Sequence, residues 1–103
     1  ITVLREYAGR TELVHLKDYR IGLLPESALE LLATGDFAGF SQAFAGLVQF
    51  AEVGAGTLDF AGIVPQAIAS GAEHLLVEQD DLYGRDAYDC LADSMAHLRS
   101  LGF

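Results

Sequence analysis

Residues 71–81 read GAEHLLVEQDD, and a similar design stands earlier in the chain as ELVHLKD over residues 12–18. In each, a short run dominated by apolar residues ends abruptly in charge: Leu75-Leu76-Val77 before Glu78, and Leu13-Val14-His15-Leu16 before Lys17 and Asp18. Such runs lack the strict alternation of a half-wet antiparallel strand and suit strands covered on both faces, as in a parallel sheet. A third run of this kind, VQFAEVG, occupies residues 48–54. The charged ends carry weight because ligands of parallel α/β sheets and barrels bind at the carboxyl ends of the strands.

The segments between these runs read as helices. Pro25 suits a first helical position, Ala28, Leu29, Leu31 and Leu32 supply an apolar side, and Gly35 ends the run. Asp36 can cap a second helix in which Phe37, Phe40, Phe44 and Leu47 recur at helical spacing. Asp59 caps a third, with Phe60, Ile63, Val64, Ala67 and Ile68 on one face and Gly71 at its close. Pro65 falls inside that pattern and is expected to remove one backbone hydrogen bond and kink the helix, unless the helical part begins near Val64. Asp86 caps the last helix, with Tyr88, Leu91, Met95 and Leu98 inward, while Ile1, Leu4 and Tyr7 begin the chain at helical spacing. The order α-β-(αα)-β-α-β-α implies about three parallel strands joined by crossovers, with a helical insertion at 22–47 after the first strand. Three such strands leave open edges and an uncovered face, so the chain reads as part of a larger α/β fold.

Composition narrows the function classes. The chain has 103 residues and a net charge of −9 from 15 acidic and 6 basic side chains. That surface repels a phosphate backbone, and with no basic stripe nucleic acid is not an expected partner. No apolar run approaches the ~20 residues of a membrane helix, so no membrane partner is expected. The first residues lack the features of a secretory leader, and Cys90 stands alone, which fits a reducing, cytoplasmic setting.

The strand ends supply the candidate chemistry. A side-chain period of two puts His15 and Lys17 on one face of their strand, and Leu76, Glu78 and Asp80 on one face of theirs. An imidazole and a carboxylate projecting together near the top of a sheet make half of a mixed N/O metal site. Taken from the local stretch alone, Glu78 is more simply a solvated strand-end carboxylate and His15 a packed histidine. Asp80 and Asp81 belong to the loop above, where they touch sugar hydroxyls or only water. Lys17 and Asp18 either pair locally or support a site, and Glu52 is open between a supporting and a purely structural role. His74, at the opposite end of its strand, and His97, on an outer helix, receive no functional role. The Phe37, Phe40 and Phe44 stripe packs the inserted helices and also suits a lid or a homo-oligomer contact.

The ordered set VHLKDYR (14–20), FAEVGAGTLDF (50–60), GAEHLLVEQDD (71–81) and GRDAYDCL (84–91) resembles the C-terminal part of the sugar phosphate isomerase/epimerase family. These are xylose-isomerase-like (β/α)8 barrels that also include inosose dehydratases and ketose 3-epimerases. The resemblance implies the C-terminal portion of a TIM barrel of about 250 residues or more. It also implies a divalent metal (Mn, Mg, Co or Zn) held by Glu, Asp, His and Glu from four strands. His15 and Glu78 match the last two of these ligands, and the first two have no counterpart here. Arg20 matches a substrate-contacting arginine a few residues past the His, and Lys17 and Asp80 are further substrate-binding candidates. Where the family's loop reads G-E-G-x-x-D, Ala55 stands in place of the acidic residue. The implied function is metal-dependent isomerisation or epimerisation of a sugar, sugar phosphate or polyol through an enediolate, with Glu78 as ligand and base. The alternatives are a dehydratase of the inosose type, or an inactive piece lacking half of the metal site.

Overall fold

The computed structural model describes residues 1–103. The elements in chain order are α1 (Thr2–Glu6), β1 (Leu13–Leu16), β2 (Asp18–Ile21), α2 (Glu26–Ala33), α3 (Phe37–Ala45), β3 (Val48–Ala51), α4 (Phe60–Ala69), β4 (His74–Val77) and α5 (Ala87–Ser100). The mixed α/β order agrees with the sequence pattern, but the strand pairing differs from it. β1 pairs in parallel with β4, Val14 opposite Leu75 and His15 opposite Leu76. β2 pairs antiparallel with β3, Tyr19 opposite Phe50 and Arg20 opposite Gln49, in a separate two-stranded sheet.

Two expectations are corrected here. Three parallel strands do not form: the stretch 12–18 splits at Lys17 into β1 and β2, and the stretch 48–54 supplies β3, which runs back antiparallel along β2. The cause is Asp18, whose fully buried carboxylate turns into the loop after β3 and takes the chain out of the line of β1. The helices of residues 22–47 then leave β2 and return beside it, an excursion that joins antiparallel neighbours; a parallel pair would require a crossover instead. The inserted helices therefore lie within a β-hairpin, packed on one another, and not directly after a barrel strand.

One face of the β1–β4 sheet builds the core. Leu16 joins Val53, Phe60, Val64 and Leu98 in the buried cluster, with Val14, Leu75 and Val77 packed against it. Full burial of side chains such as Leu16 and Val64 contributes roughly 1.5–3 kcal/mol each, which holds α4 and α5 to the sheet. The helix starts are capped as the sequence predicts: Asp36, Asp59 and Asp86 accept backbone N–H bonds from Gly39, Gly62, and Tyr88 with Asp89. α4 is continuous through Pro65, whose missing donor is the one that would reach the carbonyl of Ala61.

The other face of the parallel pair is open. Leu13 and Leu76 are each 45% exposed there, beside the exposed His15. Parallel sheets are ordinarily covered on both faces, so this open face is the unusual surface of the fold. No helix is long and apolar enough to cross a membrane.

Candidate functional site

The open face carries the strand-end residues. The Glu78 N–H donates to the Leu16 carbonyl at 3.0 Å, extending the β1–β4 ladder one step beyond Val77. His15 is in register with Leu76, and Glu78 lies two residues further along the same face, within the reach of diagonal neighbours in a sheet. The His15 Nδ1 is hydrogen-bonded to Glu78 Oε2. The second carboxylate oxygen, Oε1, is 3.0 Å from Lys17 Nζ, which also donates to Asp80 Oδ2 at 2.8 Å. Lys17 Nζ also lies 5.7 Å from the Phe50 ring centroid, which ties the cluster to the β2–β3 hairpin. Four of the residues picked out in the sequence, His15, Lys17, Glu78 and Asp80, are thus brought together.

Their electrostatics are coupled. The hydrogen bond from His15, and then that from Lys17, hold the Glu78 carboxyl down at about 2 against an ordinary 4.5. Asp80 first and Glu78 second raise the Lys17 ammonium above its ordinary value. A carboxylate so strongly acidic stays ionised at neutral pH and is a weak proton acceptor.

An imidazole nitrogen and a carboxylate meeting at one point are the donors a first-row divalent cation takes. They amount to half of a four-ligand set: no group of three His, Cys, Asp or Glu side chains is placed to hold a metal. Asp80, the nearest further carboxylate in the cluster, is directed to Lys17.

No family model, curated protein or solved structure matches this chain. Support for a function therefore comes from the geometry of its own residues.

Arg20 stands apart from the cluster. Its Nε donates to Gln49 Oε1 at 3.2 Å across the hairpin, and the side chain lines a cleft of about 410 Å³ with Glu52, Arg85, Asp93 and His97. Within that cleft Glu52 is buried and ion-paired with Arg85 Nη1, while Arg85 Nη2 meets Asp93 Oδ2 at 2.7 Å. A hydrogen bond from its own backbone N–H, with further ones from Cys90 and Arg85, holds the Glu52 carboxyl below the usual range against its burial. Burial, followed by the neighbouring Glu52, pushes the Cys90 thiol up. Glu52 is thus the buried end of an ion-pair chain whose other members, Arg85 and Asp93, are exposed.

Asp18 is the residue that sequence reasoning underestimates most. Its Oδ2 accepts from the N–H groups of Gly54 at 3.0 Å and Gly56 at 2.9 Å. Its Oδ1 accepts from Tyr19 at 2.8 Å, Thr57 at 3.1 Å and Leu58 at 3.2 Å. One buried carboxylate therefore organises the whole glycine loop without a cationic partner. Gly56 is required there, because a Cβ would lie 2.2 Å from Asp18 Oδ1 and 2.4 Å from the Tyr19 carbonyl. On the far side of the cluster, Tyr83 adopts φ of 50°, a strained value for an aromatic residue, and its hydroxyl accepts from the Phe50 N–H at 3.0 Å. That bond straps the loop between β4 and α5 onto β3.

Proposed function

We propose that the chain carries the His–Glu half of a divalent-metal site in a (β/α)8 barrel that isomerises or epimerises a sugar, sugar phosphate or related polyol. The observation that carries this reading is the meeting of His15 and Glu78 at the carboxyl end of two adjacent, parallel strands, on the face that has no cover. In a barrel that face is the interior and that end is the catalytic one. His15 through Nδ1 and Glu78 through its carboxylate would hold the cation. When bound, the cation would polarise a substrate carbonyl or hydroxyl and acidify the adjoining C–H.

The chain's own residues divide the remaining work. Glu78 supplies negative charge, and proton abstraction would fall to an opposing carboxylate that has no counterpart in this sequence. Lys17 and Asp80 sit at the rim beside the pair, where their charges orient hydroxyl groups. Arg20, on the hairpin above, reaches the more distant part of a polyol or its phosphate from its own cleft.

The test is calorimetric titration of the intact protein with Mn²⁺, beside the Glu78→Gln variant. Sugars are then incubated in D₂O and followed by NMR for deuterium at the carbon next to the carbonyl. Binding that Glu78→Gln abolishes while the fold is retained, together with deuterium incorporation, is expected. Loss of water with a new enone absorbance would replace isomerisation by dehydration. Absence of Mn²⁺ binding would leave an inert domain and defeat the reading.

A further inference from the structure

α2 and α3 pack chiefly on one another, and the pair leaves one apolar face without cover. We propose that this face is a dimer interface, covered in solution by the same face of a second copy of the chain across a two-fold axis. The inference is independent of the metal-dependent reading, because it uses none of that site's residues.

Three residues join the two helices, and Gly35 turns the chain there at φ of 80°, so the helices run antiparallel. Ala28 is buried, and Leu31, Phe40 and Ala43 are half-buried, which marks the seam between them. At 3.6 residues per turn, Leu29 and Leu32 then fall on one flank of α2, and Phe37 and Phe44 on one flank of α3. The antiparallel placement turns both flanks to the same side. All four side chains are 42–69% exposed. The opposite side carries Ser27, Glu30 and Gln42. A helical pair that is polar on one side and aromatic on the other is built to be covered on the second.

Size and charge point to a second copy as the cover. With roughly 200 Å² for each large apolar residue, the four leave about 450 Å² exposed. Ile21, Leu23 and Val48, at the root of the pair, are exposed as well and bring the total to about 900 Å², close to the ~800 Å² that each partner buries in a stable complex. The radius of gyration is 17.3 Å, against about 13 Å for a compact chain of this length, so these helices do not fold back onto the sheet. Copies of net charge −9 repel one another, but this face is free of charge. Asp36 is committed to capping α3, and Glu26 and Glu30 fall away from the apolar flank of α2. Phe37 and Phe44 stand either side of the middle of α3, near Ser41. A two-fold axis there sets Phe37 of one copy against Phe44 of the other, and the reverse, the self-complementary contact of an isologous dimer. The result is a four-helix layer. The remainder of a larger α/β fold would instead extend the β1–β4 sheet, whereas these helices hang from the separate β2–β3 sheet.

Sedimentation velocity of the full chain over a concentration series tests this. A species of twice 11.0 kDa is expected to grow in with concentration. Phe44→Glu should weaken self-association about thirtyfold or more while the circular dichroism spectrum is unchanged, since the ring is exposed within one copy. Phe44→Ser carries the same expectation if the glutamate variant folds poorly. Gln42→Glu adds the same charge on the opposite side and should associate like the parent. Added salt should tighten the dimer, because it screens the repulsion between two acidic copies. Ser41→Cys, close to the axis, should be joined to its counterpart by a short bismaleimide, while the buried Cys90 stays unreacted. A parent that remains monomeric at sub-millimolar concentration overturns the proposal. So does a dimer that Phe44→Glu and Gln42→Glu weaken equally, or one in which Ser41→Cys is not cross-linked, since the contact then lies on another surface.

Discussion

Replacing Asp18 by asparagine removes an acceptor oxygen and puts an NH₂ group into a pocket lined by donors. The side chain is fully buried and accepts from the N–H groups of Tyr19, Gly54, Gly56, Thr57 and Leu58. Asparagine must turn its NH₂ toward one set of them. The less costly choice faces Gly54 and Gly56, leaving two buried donors unpaired and opposed to another donor. Each such group costs about 1–3 kcal/mol, and some relaxation of the loop brings the total to about 3 kcal/mol. For a domain of this size, about 4–8 °C of melting temperature is lost per kcal/mol, so a fall of about 12 °C or more is expected. Thermal and urea unfolding followed by circular dichroism measure it. An Asp18→Asn protein within about 0.5 kcal/mol of the parent would show that water or loop movement satisfies these donors, and the anchoring role would fall.

Gly56→Ala drives a methyl group against the same carboxylate and the Tyr19 carbonyl, so it should destabilise by about 1–3 kcal/mol, and parent-like urea unfolding would refute the close approach. The Glu78 carboxyl, titrated by ¹³C NMR, should have its midpoint near 2; a midpoint near 4.5 would remove the proposed coupling to His15 and Lys17. Because its folded value is depressed, the stabilisation that Glu78 provides is fully present above about 4.5 and is lost as the pH falls toward 2. His15→Ala removes the larger cause and should raise that midpoint toward the ordinary value.

Much of the local structure was legible because it follows from short-range chemistry. Asp36, Asp59 and Asp86 announce helix starts, since a short carboxylate before an apolar-periodic run satisfies the free N–H groups of the first turn. That HLLV and LVHL run parallel was legible as well, because unalternated apolar strands ask for a parallel sheet, but that they are direct neighbours, with VQFA not between them, was not. The direction of VQFA was not. A four-residue strand has no periodicity that separates a parallel core strand from one arm of a hairpin, and what turns it back is a contact between Asp18 and a loop far along the chain. At the site, the period of two was enough to bring His15, Lys17, Glu78 and Asp80 to one face. It could not reveal that Arg20 lies across the hairpin from Gln49, since that depends on the strand break at Lys17.

The hairpin has a consequence for how this chain can vary. Ile21 and Val48 are register partners, and just beyond them the Gly22 N–H donates to the Leu47 carbonyl at 2.7 Å. The helical excursion thus departs from and returns to one spot on the sheet, like a pendant hung from a single link. Lengthening or shortening a closed loop changes its closure cost only slowly, by about 0.6 kcal/mol per doubling. The pendant can be exchanged for a two-residue Asn-Gly turn, or for an unrelated module, without disturbing the register that carries Asp18. Evolution and engineering alike have here a graft point beside a metal-site candidate, separable from the strands that build it.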